Sequence, residues 1–330
     1  MPLLNSFVIW NKKGGVGKTT LTFHMSTEYA IRHPTQQILV IDLCPHADLS
    51  MALLSSFGTT EALTSAKIQA GKSISSYLHQ VTNMKPLSFI DSRDFLIRVS
   101  DFNSNVPQNV FLLRGDAVNL EPMIPSLEHK RQYNSIYADN SWVYITSCVR
   151  YFIEGYGHHV RGVATDDNDW VVFIDTNTSF SIYTQMAIVA AQRLIIPTNA
   201  DDFSREAIKA TLSLVYGVTS GEGPGKTSDE TTTFSYKAKM LNIRLPKIRL
   251  IIHNRNTRYN GIPARAFSLM ANSIVEVVFS VYKSHKQLFD QRGLLSSTDE
   301  SDDFNLLNAV AENYRVEIWN VHTVIFCYSI

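Results

Sequence analysis

Ten residues, Asn11-Lys12-Lys13-Gly14-Gly15-Val16-Gly17-Lys18-Thr19-Thr20, constrain the fold of this 330-residue chain more than any other stretch. They follow an apolar run, Ser6 to Trp10, and open a helical pattern, Leu21 to Ile31, so the local order is strand, glycine loop, helix. Glycines let the backbone curl until successive N–H groups converge on a phosphate, and the helix N-terminus adds partial positive charge. Lys18 is then placed to neutralise β- and γ-phosphates and the Thr19 hydroxyl to hold Mg²⁺. The usual pattern is G-x-x-x-x-G-K-[ST]; here Lys12 stands where its first glycine belongs, so the loop is a variant.

The rest of the composition narrows the class. Formal net charge is zero, which leaves any nucleic-acid binding to a local patch. Cys44, Cys148 and Cys327 are far apart and form no C-x-x-C pair, which argues against a disulfide framework, a zinc site or a cysteine-ligated cluster. No basic segment followed by an apolar h-region opens the chain, and no apolar run reaches the roughly 18 residues that span a bilayer. A cytoplasmic protein is expected.

K-G-G-x-G-K-[ST] with the additional Lys13 resembles the deviant Walker A motif of the ParA/MinD family of P-loop ATPases, and Asn-x-Lys-Gly-Gly-Val-Gly-Lys-Thr-Thr is most similar to the ParA branch. The resemblance implies ATP and Mg²⁺ as cofactors, with the nucleotide held by Lys12, Lys13, Gly14, Gly15, Val16, Gly17, Lys18, Thr19 and Thr20. It further implies a nucleotide sandwich homodimer in which Lys13 reaches the partner's phosphates, as an arginine finger would.

Gln37-Ile38-Leu39-Val40-Ile41-Asp42 reads as a buried parallel strand whose terminal carboxylate faces the phosphate site. Leu43 to Ser50 resembles the family's switch I, Asp-x-Asp-Pro-Gln, in which the second aspartate orients the attacking water. The aligned residue is Cys44. A thiol of ordinary pKa is mostly protonated at neutral pH and accepts hydrogen bonds poorly, so slow hydrolysis is expected unless His46 or Asp48 takes over. Asp169 to Thr176 looks like Walker B. Asp175 would hold the Mg²⁺ hydration shell beside Thr19, with Asp42 the third candidate metal residue. Asn177-Thr178-Ser179 occupies a place where family members commonly carry prolines.

Between these anchors, Met51 to Leu54 and Ile74 to Val81 read as helices, and Val110 to Asp116 as a strand with a Gly-Asp turn. Ser141 to Tyr156 is ambiguous by periodicity, and family placement favours a helix. His158-His159 lacks a third ligand at useful spacing and reads as a polar loop. Tyr183 to Gln192 is a helical pattern. Arg193 to Thr198 is the next strand, and Asp201 supplies N-cap chemistry for a helix through Tyr216.

Residues 217–233, rich in Gly, Ser, Thr, Pro and acidic residues with almost no apolar content, read as a solvated flexible insertion; Gly223-Pro224-Gly225-Lys226-Thr227 resembles a second nucleotide loop but has no strand before it and a proline in the cradle. Lys247 to Asn254 is a strand whose terminal Asn254 the resemblance assigns to the adenine edge, with Pro197 and Thr198 nearby. Arg258 falls where ParA-like sequences often keep an arginine.

Residues 237–292 carry eleven lysines and arginines against Glu276 and Asp290. ParA-like ATPases bind DNA non-specifically through such a region as ATP dimers, with steep salt dependence; the alternative is a set of solvated faces. Residues 316–330 are mostly apolar with no lysine or arginine, which suits a strand or packed tail better than a membrane-bound amphipathic helix.

The expected architecture is a single doubly wound α/β domain over 1–330, with a mostly parallel sheet flanked by helices. The expected function is a ParA-like ATP-dependent dimerising switch that binds DNA and a ParB-like or other stimulating partner, and positions or partitions a cargo. The alternative is a hydrolysis-deficient regulatory module held as a dimer because of Cys44.

Overall fold

The computed structural model describes residues 5–55, 71–83, 90–133, 140–161, 170–199, 201–218, 233–254, 258–259, 262–263, 265–290 and 317–320. Their contacts divide into two compact units: Met1–Val8 with Thr19–Gln192, and Ile9–Lys18 with Arg193–Ile330.

The first unit is built from β1 (Asn5–Ile9, up to Val8), α1 (Lys18–Arg32), β2 (Gln37–Asp42), α2 (Asp48–Leu54), α3 (Ile74–Asn83), β3 (Ile97–Arg98), β4 (Val110–Leu113), α4 (Leu120–Tyr133), α5 (Ser141–Thr146), α6 (Cys148–Arg161), β5 (Trp170–Asp175) and α7 (Ile182–Ala190). Its strands run in the order β1-β5-β2-β4-β3. β2 is parallel to β4 and to β5, and its register with β5 ends on Asp42 opposite Asp175. Every residue of β2 from Ile38 to Asp42 is buried, as a run of β-branched and aliphatic side chains requires when both faces of the strand are covered. Phe173 stacks on Phe7 with ring centroids 5.4 Å apart. α7 is apolar nearly all round, and Ile182 to Ala190 is buried apart from Gln185.

Ser141 to Tyr156, ambiguous by periodicity, is two helices. Asn140 caps α5 by accepting from the Val143 N–H, and α6 buries Cys148, Val149, Phe152 and Ile153 at helical spacing. His158 and His159 lie in α6 and not in a polar loop, because that amphipathic pattern carries the helix on to Arg161.

The second unit contains Ile9 to Lys18, then β6 (Arg193–Asn199), α8 (Asp202–Tyr216), α9 (Phe234–Met240), β7 (Lys247–Asn254), β8 (Arg258–Tyr259), β9 (Ile262–Pro263), α10 (Arg265–Ser284) and β10 (Glu317–Asn320). β6 and β7 are parallel, bring Asn199 opposite Asn254, and carry a register shift at Leu194/Ile195. Asp201 caps α8 by accepting from the Ser204 N–H at 2.8 Å, and Gly217 closes that helix at φ 71°. β10 lies antiparallel on β7, so the described part of the apolar tail is a strand. Of the expected insertion at 217–233, Gly217 and Thr233 cap helices, whereas residues 219–232 lie outside the described residues, as does the remainder of the tail. The architecture is α/β, mostly parallel and doubly wound, with helices flanking the strands. No helix among the described residues is long and apolar enough to cross a membrane.

At the C-terminal end of α1, the Asn109 side-chain amide donates to three carbonyls: Ala30 at 3.2 Å, His33 at 3.1 Å and Gln36 at 2.8 Å. Asn109→Ala strips their shared donor, and a loss of about 1–3 kcal/mol is expected. Urea denaturation should show a lower midpoint with an unchanged m-value.

Candidate nucleotide-binding site

In the second unit the glycine loop is tied down at almost every step. Asn11, fully buried, donates from Nδ2 to the Pro197 carbonyl at 2.7 Å and accepts from the Lys13 N–H at 3.1 Å. The Lys18 ammonium donates to the Lys13 carbonyl at 3.0 Å. Gly15 and Gly17 adopt φ of 69° and 87°, a left-handed backbone that a side chain resists, and this accounts for two of the motif's glycines. Lys12, Gly14 and Gly15 are exposed, whereas Val16 and Lys18 are buried.

Lys13 points to Asp201, with which it forms an ion pair, and donates to Ser204 Oγ at 3.1 Å. Burial pushes the Asp201 carboxyl up, but the Lys13 ammonium and the Ser204 N–H outweigh it and hold the group below its ordinary value. Asn254, assigned to adenine from the sequence, donates from Nδ2 to the Val16 carbonyl at 3.0 Å.

The first unit carries the carboxylates. Thr19 donates to Asp175 Oδ2 at 2.8 Å and Thr22 donates to Oδ1 at 3.3 Å, so two hydroxyls one helical turn apart orient that side chain. A hydroxyl and a carboxylate in contact form a hard oxygen pair of the kind that Mg²⁺ accepts, leaving its other positions to water and phosphate. Thr19 and Asp175 therefore fit the ion. Asp42, fully buried, accepts from the Cys44 N–H at 3.0 Å and from the Ser50 N–H and hydroxyl at 2.9 and 2.7 Å; that hydroxyl accepts in turn from the Gly115 N–H at 2.8 Å. Burial raises the Asp42 carboxyl to about 6, against the lowering effect of the Ser50 and Cys44 donors. Its oxygens are engaged in shaping the turn from Leu43 to Ser50. Cys44 is buried, and burial pushes its thiol up to about 12 despite a backbone hydrogen bond from His46; Asp42, Asp175 and Asp48 push the same way. It is a neutral thiol where a charged acceptor was expected. Asp48 and His46 are exposed. Among the described residues no cluster of three or more metal-ligating side chains exists.

Residues 5–117 match the family model described as AAA domain. Structure comparison finds McdA from Cyanothece, as an ATP-bound variant, at 15% identity and TM-score 0.58 over 94% of this chain and 98% of that one. It also finds the apo McdA structure at 15% identity and TM-score 0.57, over 93% and 99%. The chain has the fold of McdA. The structure of pNOB8 ParA matches at 16% identity and TM-score 0.49 over 90% of this chain and 78% of that one. No curated protein sequence matches.

In this fold several residues around the loop went unread in the sequence. Asp201 was legible as a helix cap but not as the partner of Lys13, and neither Thr22 nor Asn199 carried a signal of its own. Of the basic residues in 237–292, Lys239, Arg244, Lys247, Lys283 and Lys286 are exposed. Arg249 instead approaches buried Asp290 at 3.8 Å, where Arg193 donates at 3.0 Å. Arg255 and Arg292 lie outside the described residues.

Asp201→Asn keeps an N-cap acceptor for Ser204 and removes the charge facing Lys13. A depressed carboxyl stabilises the fold above its unfolded pKa, about 4, and the stabilisation fades as pH falls through the lower folded value. The half-exposed pair is worth less than about 1 kcal/mol. Melting temperatures of wild type and variant should therefore differ slightly at pH 7 and converge as the pH drops below about 4. A gap that widens in acid contradicts this account.

Proposed function

We propose that this chain is a ParA-like, ATP-dependent dimerising switch that binds DNA non-specifically and positions or partitions a cargo, with slow Mg²⁺-dependent ATP hydrolysis. The observation that carries the proposal is the phosphate loop: Lys13 and Lys18 each have a defined partner, Gly15 and Gly17 are left-handed, and the hydroxyl residue Thr19 touches Asp175. McdA of the same fold was solved with ATP, which supports the choice of nucleotide.

In this reading Lys18 and the loop N–H groups bind the β- and γ-phosphates, and Thr19 and Asp175 hold Mg²⁺, with Asp42 shaping switch I beside them. Bound Mg²⁺ supplies charge neutralisation at the phosphates. Asn254, with Pro197, borders the base. Lys13 leaves Asp201 and reaches the partner's phosphates in a homodimer. Exposed Lys239, Arg244 and Lys247 contact DNA phosphates, placing the protein at the nucleoid in the cytoplasm, and a ParB-like or other partner stimulates turnover.

Cys44 favours a second reading, a regulatory module that binds ATP and stays dimeric without splitting it. A buried thiol raised to about 12 offers the attacking water no charged acceptor. Single-turnover hydrolysis by wild type, Lys13→Ala and Cys44→Asp decides between them. The switch reading expects slow wild-type turnover, abolished in Lys13→Ala and raised about a hundredfold in Cys44→Asp, the size of a well-placed general base. A wild type that dimerises with ATP and never turns over supports the regulatory module.

DNA binding gives a separate check. With ATP, affinity should fall linearly on a log–log scale with salt, and combined alanine substitution of Lys239, Arg244 and Lys247 should flatten the slope by up to about three. A slope unchanged in that variant removes these residues from the DNA contact.

A further inference from the structure

An anion-binding loop has to present N–H groups to its ligand, and each peptide that does so must send its carbonyl elsewhere. Carbonyls turned toward a polyphosphate repel it. In this chain three loop carbonyls have side-chain partners. Lys18 takes that of Lys13 at 3.0 Å, Asn199 Nδ2 takes that of Gly15 at 3.4 Å, and Asn254 Nδ2 takes that of Val16 at 3.0 Å. The two asparagines end neighbouring parallel strands and lie opposite each other in register, so β6 and β7 deliver a pair of amides to consecutive loop carbonyls. The fit at Gly17 is close: a Cβ there would collide with Asn254 Nδ2. Asn199 Oδ1 is buried with no partner among the described residues, a cost accepted while its Nδ2 stays on the loop.

We propose that Asn199 and Asn254 are positioning residues for the phosphate loop, holding the Gly15 and Val16 carbonyls away so that the neighbouring N–H groups serve a polyphosphate. The inference rests on the nucleotide-binding reading above and extends it. It assigns Asn199, which no sequence signal marked, and gives Asn254 a role separable from the adenine edge.

A ligand without a base separates these roles. Binding of inorganic tripolyphosphate, ATP and GTP to the full chain is measured by calorimetry for wild type, Asn199→Ala and Asn254→Ala. Each variant should weaken all three ligands, base-free tripolyphosphate included, by about three- to tenfold, the worth of one hydrogen bond, and Asn199→Ala should leave the ATP-to-GTP ratio unchanged. Tripolyphosphate affinity that survives in Asn254→Ala while ATP affinity falls overturns the proposal for Asn254 and returns it to base recognition; survival in Asn199→Ala overturns it for Asn199. A wild type that binds none of the three overturns this inference and the nucleotide reading together, whereas normal wild-type binding with indifferent variants sinks only the inference. Hydrogen exchange of the ligand-free protein covers the case of a poorly folded alanine variant. In the shape-conserving Asn254→Asp, exchange at the Val16 and Gly17 N–H groups should accelerate while that of β7 is retained, and unchanged protection at the loop counts against the proposal.

Discussion

The peptide group cannot offer its N–H to a ligand without committing its C=O somewhere, and that constraint organises the second unit of this molecule. The loop from Asn11 to Lys18 is short, glycine-rich and partly exposed, and left to itself it would sample many conformations. What fixes it is a ring of side-chain contacts with residues distant in sequence. Asn11 reaches Pro197, Asn199 reaches Gly15, Asn254 reaches Val16 and Asp201 holds Lys13. Three of these contacts come from β6 or the turn that follows it. The register of that strand with β7 is therefore also the register of the amides on the loop. A slip of one residue would turn every strand-end side chain to the other face.

Sequence reading worked where one physical rule dominates a stretch. β2 from Ile38 and β5 from Trp170 are continuous apolar runs ending in Asp, and only a strand covered on both faces wants such a run. The loop motif was legible because its glycines, lysines and hydroxyl are each required at a fixed spacing. Contacts across a separation of 188 residues were not legible: nothing local to Asp201 distinguishes a helix cap from a helix cap that also binds a lysine. Asn254 shows the same limit, since a strand-end amide can satisfy a base or a backbone carbonyl equally well. The missed helix at His158 and His159 has another cause. The two polar residues carry no helical signal of their own, and the amphipathic spacing from Cys148 to Ile153 sets the helix that carries them.

In the first unit the corresponding constraint is the burial of Asp42. A fully buried carboxylate is tolerated only with donors around it, and here the Cys44 and Ser50 N–H groups and the Ser50 hydroxyl provide them. The same bonds fold the turn that follows β2, and the Gly115 N–H secures the hydroxyl from the neighbouring loop. Gly115 is where a Cβ would press on Asp42 and Ala47, so the absence of a side chain lets the two segments close on the carboxylate. Cys44 contributes a backbone N–H to this arrangement, which any residue but proline could give, and its side chain sits in surroundings that keep it protonated. The shape of the turn is thus independent of what residue 44 is, while its chemistry is not. That separation is what makes Cys44→Asp a clean probe.

The Lys13–Asp201 pair sets the energetic scale of any rearrangement in the loop. Both groups are partly exposed, with side-chain exposures of 19% and 38%, and such pairs contribute less than about 1 kcal/mol. A contact of that size is displaced by a competing interaction that favours the released lysine by only about fivefold. For the trans role proposed for Lys13, the cis contact is therefore too weak to oppose a second nucleotide phosphate, whose charge exceeds that of one carboxylate. Asp201 meanwhile remains useful after the lysine departs, because its Oδ1 still accepts from the Ser204 N–H and keeps α8 capped. Releasing Lys13 therefore leaves that helix end capped.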